Sequence, residues 1–124
     1  MLMIRLANPD DIPKLCTEAG LTHQTGIMAC QAVEDGCEAG FVLFRFSGKT
    51  LELLKAHCPP PLLDGLLRAA LNRGAAAGLV RFSLTPAMQG WQKQLIRLGY
   101  PAIEEKTEIE QFFSRGCGQI LKDL

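Results

Sequence analysis

His57-Cys58 puts a base beside a thiol, the densest pairing of reactive groups in the sequence. An imidazole of ordinary pKa suits proton transfer near neutrality, and a thiol becomes a nucleophile once a neighbouring base lowers its pKa. Both residues close a run, Thr50 to Cys58, that reads as a strand. Successive strand side chains point to opposite faces, so this adjacency alone does not make a catalytic pair. A capping or surface histidine is the simpler reading of His57, and His23 reads as exposed. Glu52 lies on the same run, either as a solvent-facing strand residue or as a proton acceptor. Asp64 and Arg68, one turn apart on an expected helix, read as an ion pair worth about 0.3–0.5 kcal/mol.

The remaining thiols carry no such chemistry. The cysteines are Cys16, Cys30, Cys37, Cys58 and Cys117, odd in number and without a CxxC pair. They are expected to be free and mostly buried, as in a reducing compartment. Without clustered ligands no metal site is expected. Cys117, between Gly116 and Gly118, is expected to be exposed and oxidisable.

The totals narrow the partners. A chain of 124 residues, 48% of them apolar, fits one domain with one core. Lys plus Arg and Asp plus Glu number 13 each, so nothing draws the chain generally to nucleic acid or an anionic membrane. No run is long enough to span a bilayer, and Met1-Leu2-Met3-Ile4-Arg5 lacks the apolar stretch of a signal peptide. The expected location is the cytoplasm.

The elements that must position these residues follow from periodicity and punctuation. Met3 to Ala7 reads as a strand; Asn8-Pro9-Asp10-Asp11 caps a helix whose face is Ile12, Leu15, Cys16 and Ala19, stopped by Gly20. After the polar connector Leu21 to Gly26, three strands are expected at Ile27–Glu34, Phe41–Phe46 and Thr50–Cys58, with Asp35-Gly36 and Ser47-Gly48 as the turns. Pro61 starts a helix over Leu62–Ala77 whose stripe is Leu63, Leu67, Ala70, Leu71 and Gly74. Leu79–Leu84 reads as a strand. Thr85-Pro86 opens a last helix through Leu98, with Trp91, Leu95 and Leu98 facing the core, and the tail from Tyr100 has room for one strand and a helical turn. The expected fold is α/β (α+β): a mixed, mostly antiparallel sheet with helices on both faces, containing one right-handed crossover through Leu62–Ala77.

Three segments in this order resemble the GCN5-related N-acetyltransferase (GNAT) superfamily. Ile4-Arg5-Leu6-Ala7-Asn8-Pro9-Asp10-Asp11-Ile12 is similar to its first strand and helix start. Leu66-Leu67-Arg68-Ala69-Ala70-Leu71 with Gly78 is similar to the helix after its cofactor loop. Leu95-Ile96-Arg97-Leu98-Gly99-Tyr100 is similar to its LGF segment. The resemblance covers roughly residues 3–100 and implies the acyl-CoA N-acyltransferase fold. It implies a pantetheine arm between two splayed parallel strands and a diphosphate held by glycine amides at a helix start.

This chain departs from that pattern at named places. Pro61 and Leu63 stand where the loop of form Q/R-x-x-G-x-G/A has its two glycines, and Cys58 stands at its first position. Proline has no amide hydrogen to offer, and Asp64 brings a negative charge into the first turn. Leu95 occupies the place of the tyrosine acid, with Tyr100 at a packing position, and the second helix of the family is reduced to Leu21–Gly26.

Two functions are thus expected as alternatives. One is transfer of an acyl group from acetyl-CoA or another acyl-CoA to an amine. The resemblance would then make Glu52 or His57 the base and assign cofactor contacts to Leu54, Lys55, Ala56 and Gly65. The other is a catalytically inactive module binding a small molecule or a protein. A homodimer through an exposed sheet edge or the apolar C-terminal tail is a further expectation.

Overall fold

The Asn8 side chain accepts the Asp10 amide at 3.0 Å and starts a 3-10 turn, Pro9–Asp11. This turn leads into helix α1, Ile12–Ala19, which ends where Gly20 takes a left-handed conformation with φ 72. Ile12, Leu15, Cys16 and Ala19 are its buried face, as their spacing predicts.

This computed structural model describes residues 1–114, so the expectation for Cys117 lies outside the described residues. Strands β1 (Leu2–Leu6), β2 (Met28–Glu34), β3 (Cys37–Ser47), β4 (Thr50–His57), β5 (Arg81–Leu84) and β6 (Thr107–Glu108) form one sheet in the order β1-β2-β3-β4-β5-β6. All neighbours are antiparallel except β4 and β5, which helix α2 (Leu63–Ala76) joins as the expected parallel crossover. Asp35 and Gly36, both at positive φ (52 and 84), make the tight turn between β2 and β3. Residues 109–114 are helical after β6, in line with a tail of one strand and a helical turn.

Each face of the sheet carries its own buried cluster. On one face α2 lays Leu63, Leu67 and Leu71 against Phe44, Leu51 and Phe82. On the other, Ile12 and Leu15 of α1 meet Phe41, Leu43 and Leu54. Each fully buried leucine or phenylalanine stabilises the fold by about 1.5–3 kcal/mol relative to exposure. Gly74 permits the closeness of α2: a Cβ there would lie 2.7 Å from Leu51 Cδ1.

Three differences from the sequence reading exceed a single residue. Strand β3 begins at Cys37 rather than Phe41, with Ala39 as an extra residue opposite β2. The strand expected over Leu79–Leu84 joins the ladder only at Arg81, because Val80 and Arg81 both donate to the single carbonyl of Lys49. The last expected helix is divided into a 3-10 segment, Pro86–Trp91, and a short helix α3, Gln92–Arg97. Gly90 weakens helix there, and side-chain bonds from Thr85 and Trp91 hold the segment against β4. Leu98 is consequently exposed, and only Leu95 of the expected face is fully in the core.

Gly40 has no room for a side chain: an added Cβ would lie 2.5 Å from Cys58 Cβ and 3.0 Å from its Cα. Backbone cannot yield cheaply, so Gly40→Ala is expected to cost about 1–3 kcal/mol in urea unfolding. Gly65→Ala, in the first turn of α2 and 3.3 Å from the flexible tip of Ile4, is expected to be neutral or stabilising by up to about 1 kcal/mol.

Candidate functional site

Strands β4 and β5 pair in parallel from Thr50 opposite Arg81 to Leu53 opposite Leu84, and then part. At the same level Leu54 is skipped in the pairing of β4 with β3, where Leu43 faces Lys55 and Phe44 faces Leu53. This bulge bends β4 away from its parallel neighbour and reverses which residues face which helix. Leu54 joins the α1 cluster, and Ala56 joins the α2 cluster.

At and beyond the parting, the carbonyls of β4 are met by the segment that follows β5. The Thr85 amide donates to Leu53 O at 3.0 Å, and Thr85 Oγ1 donates to Leu54 O at 3.1 Å. Trp91 Nε1 donates to Ala56 O at 3.2 Å. Met88, fully buried between these two anchors in sequence, adds its side chain to the α2 cluster.

The start of α2 is equally committed. Pro59, Pro60 and Pro61 have no amide hydrogens, and the next two amides are used within the turn, Leu62 to Pro59 O and Leu63 to Pro60 O. Arg68 Nε donates to both oxygens of Asp64 at 3.1 Å, the pair expected from the sequence. Tyr100 completes it, its hydroxyl donating to Asp64 Oδ1 at 2.8 Å. Burial, and then the Asp64 charge, hold the Tyr100 phenol far above its ordinary pKa, so it stays protonated as a donor. The Arg68 guanidinium lies 5.3 Å and 5.7 Å from the ring centres of Phe112 and Phe113. Together these contacts clamp the first turn of α2 to the end of the described chain. Only the i,i+4 half was visible in the sequence; the signal for the rest is that a buried phenol needs a partner.

The expected site residues do not converge on one spot. His57 is exposed and packs on Phe41, with ring centres 5.4 Å apart. It lines a cleft of about 460 Å³ with Glu18, Glu38, Phe41, Cys58 and Trp91. Burial pushes the Cys58 thiol up to about 11, which keeps it protonated and poorly nucleophilic at neutral pH. Glu52 opens onto a different cleft of about 380 Å³ with Ser83, Thr85, Glu104 and Lys106. Its carboxylate accepts from Arg45 Nε at 2.8 Å, and the same guanidinium reaches Gln24. Glu52 and His57 lie five positions apart on β4, roughly 16 Å, so the two are alternatives and do not act together. Lys55 is half-buried near the end of α1, its Nζ 3.8 Å from the place of a Cβ on Gly20. Gly65 faces Ile4 of β1, away from the parting. Among the described residues, no group of three or more His, Cys, Asp or Glu could hold a metal ion, and no helix is long and apolar enough to cross a membrane.

A six-stranded sheet with one parallel pair that parts at a bulge has many solved counterparts. The fold is that of the GCN5-related N-acetyltransferases. The chain superposes on a ribosomal-protein-alanine N-acetyltransferase of Brucella melitensis with a TM-score of 0.66 at 13% identity, covering 86% of this chain and 96% of that one. For an IAA acetyltransferase of Bacillus cereus the TM-score is 0.62 at 16% identity, over 79% and 75% of the two chains. For the PaiA N-acetyltransferase of Thermoplasma acidophilum, solved in complex with coenzyme A, it is 0.57 at 15%, over 78% and 88%. At such identities the likeness concerns the fold alone. No protein-family model matches the sequence, and no curated protein matches it.

The Tyr100 contact can be weighed directly. Asp64 keeps 37% of its side-chain surface exposed, so water would replace part of the lost bond, and Tyr100→Phe is expected to cost about 1 kcal/mol. A shifted denaturation midpoint at unchanged m-value is the readout.

Proposed function

We propose that this chain is an acetyltransferase-fold binding module whose start of α2 does not grip a coenzyme A diphosphate. The observation that carries this reading is the proline run. An anion held at a helix start needs amide hydrogens aimed at it. Here Pro59, Pro60 and Pro61 supply none, Leu62 and Leu63 spend theirs on the turn, and Asp64 adds a carboxylate to the same turn. The residues present do not fit the diphosphate, and the cofactor motif is degenerate in its chemistry as well as its spelling. The filled wedge agrees, since Trp91 and Thr85 already hold the carbonyls of Ala56 and Leu54. A ligand still has room in the cleft beside Trp91. Its rim carboxylates, Glu18 and Glu38, and its aromatic wall suit a cationic group on a small molecule or protein better than an anionic one.

A second reading has one observation in its favour. The parting of β4 and β5 beside Leu54–His57 lies where the family's pantetheine arm would run, and a protein of this fold has been solved with coenzyme A. In that reading the chain is an N-acyltransferase with Glu52 or His57 as its base and Leu54, Lys55, Ala56 and Gly65 as cofactor contacts.

Trp91 is the sole tryptophan, so its fluorescence reports on the wedge without a label. Titration with acetyl-CoA to millimolar concentration is expected to leave both this emission and the melting temperature unchanged. A ligand at a hundred times its Kd would stabilise the fold by about 2.7 kcal/mol. A saturable shift accompanied by acetylation of an amine would overturn the proposal, and Glu52→Gln and His57→Ala would then tell which residue is the base.

A further inference from the structure

We propose that strand β1 is a dimerisation edge that pairs antiparallel with the β1 of a second copy of this chain. The two edges of the sheet are treated differently. At the far edge, β6 is two residues long with a charged Glu108, and the Glu104 amide donates to Leu84 O beyond it. Short, charged and covered edges resist pairing. Strand β1 has five residues, no proline, no bulge against β2 and one charge, Arg5. Three of its apolar side chains are open to solvent: Leu2 is 43% exposed, Met3 52% and Leu6 38%.

The backbone direction decides which groups are unpaired. The Ala7 amide donates to Ala29 O and the Met1 carbonyl accepts from Asp35, so odd-numbered residues turn their polar groups toward β2. Alternation along the strand then turns the amides and carbonyls of Leu2, Ile4 and Leu6 outward.

These outward groups match a second copy of themselves. A two-fold axis through Ile4 sets Ile4 opposite Ile4 and Leu2 opposite Leu6. The Ile4–Ile4 pair and the two Leu2–Leu6 pairs are then each doubly bonded, giving about six new hydrogen bonds. The side chains obey the same symmetry. Leu2, Ile4 and Leu6 share the α2 face, where the exposed leucines cover one another. On the other face Met3 meets the aliphatic stem of Arg5, so no like charges stand directly opposite. An unrelated strand would have to supply this pattern, whereas a second copy carries it by construction. The product is one continuous twelve-stranded sheet with a single isologous interface.

Sedimentation of the full chain tests this against concentration. Wild type is expected to move from 13.6 kDa toward twice that mass. Leu6→Lys and Leu2→Pro are expected to stay monomeric with an unchanged circular dichroism spectrum; the proline removes only an outward amide. Val80→Lys, near the far edge, is expected to dimerise normally. Hydrogen exchange on the unaltered protein covers the case of a variant that fails to fold. Amide protection at Leu2, Ile4 and Leu6 is expected to rise with protein concentration. A wild type that is monomeric throughout, a dimer that survives Leu6→Lys, or exchange at these amides that ignores concentration would each overturn the proposal.

Discussion

The bulge at Leu54 governs the middle of this molecule. A parallel pair cannot continue once one of its strands gains a residue against its other neighbour, so β4 leaves β5 where Leu54 is skipped. That departure exposes strand carbonyls in a buried region, where an unpaired polar group is costly. The chain solves the problem internally. Thr85 and Trp91 reach back across the wedge, Met88 takes its place in the core, and the segment between them is held as 3-10 turns instead of continuing as α-helix. In a protein that opens this wedge to a ligand, the ligand would provide those hydrogen bonds.

The same self-sufficiency marks the start of α2. A helix N-terminus ordinarily has spare amides, and folds that bind phosphates exploit them. Here prolines remove the donors, and Asp64 turns to Arg68 and Tyr100, which fasten it to the aromatic end of the described chain. The first turn of α2 is thereby braced against the rest of the fold. Architecture and activity are separable in this way because the sheet sets the backbone path while a handful of side chains set the chemistry.

What the sequence displayed was local. The buried stripes of α1 and α2, the Asp35-Gly36 turn, the parallel crossover and the Asp64–Arg68 pair all follow from spacings of a few residues. Three decisive contacts do not. Thr85 to Leu54, Trp91 to Ala56 and Tyr100 to Asp64 join residues more than thirty positions apart, which periodicity cannot connect. The bulge itself was hidden because Leu53 and Leu54 are the same residue type on opposite faces, so no break in the pattern announces it. The parallel crossover was therefore legible, but the filling of the gap beside it by Thr85 and Trp91 was not.

The strands lie in the sheet in the order in which they occur along the chain. Each new strand thus finds its neighbour without threading past another, and one helical crossover is the longest link between adjacent strands. Closing short loops in sequence loses less entropy than bringing distant segments together, and such local wiring is associated with rapid assembly. The hairpins joining β2, β3 and β4 therefore cost least to close, while the links to β1, β5 and β6 are longer and similar in length to one another.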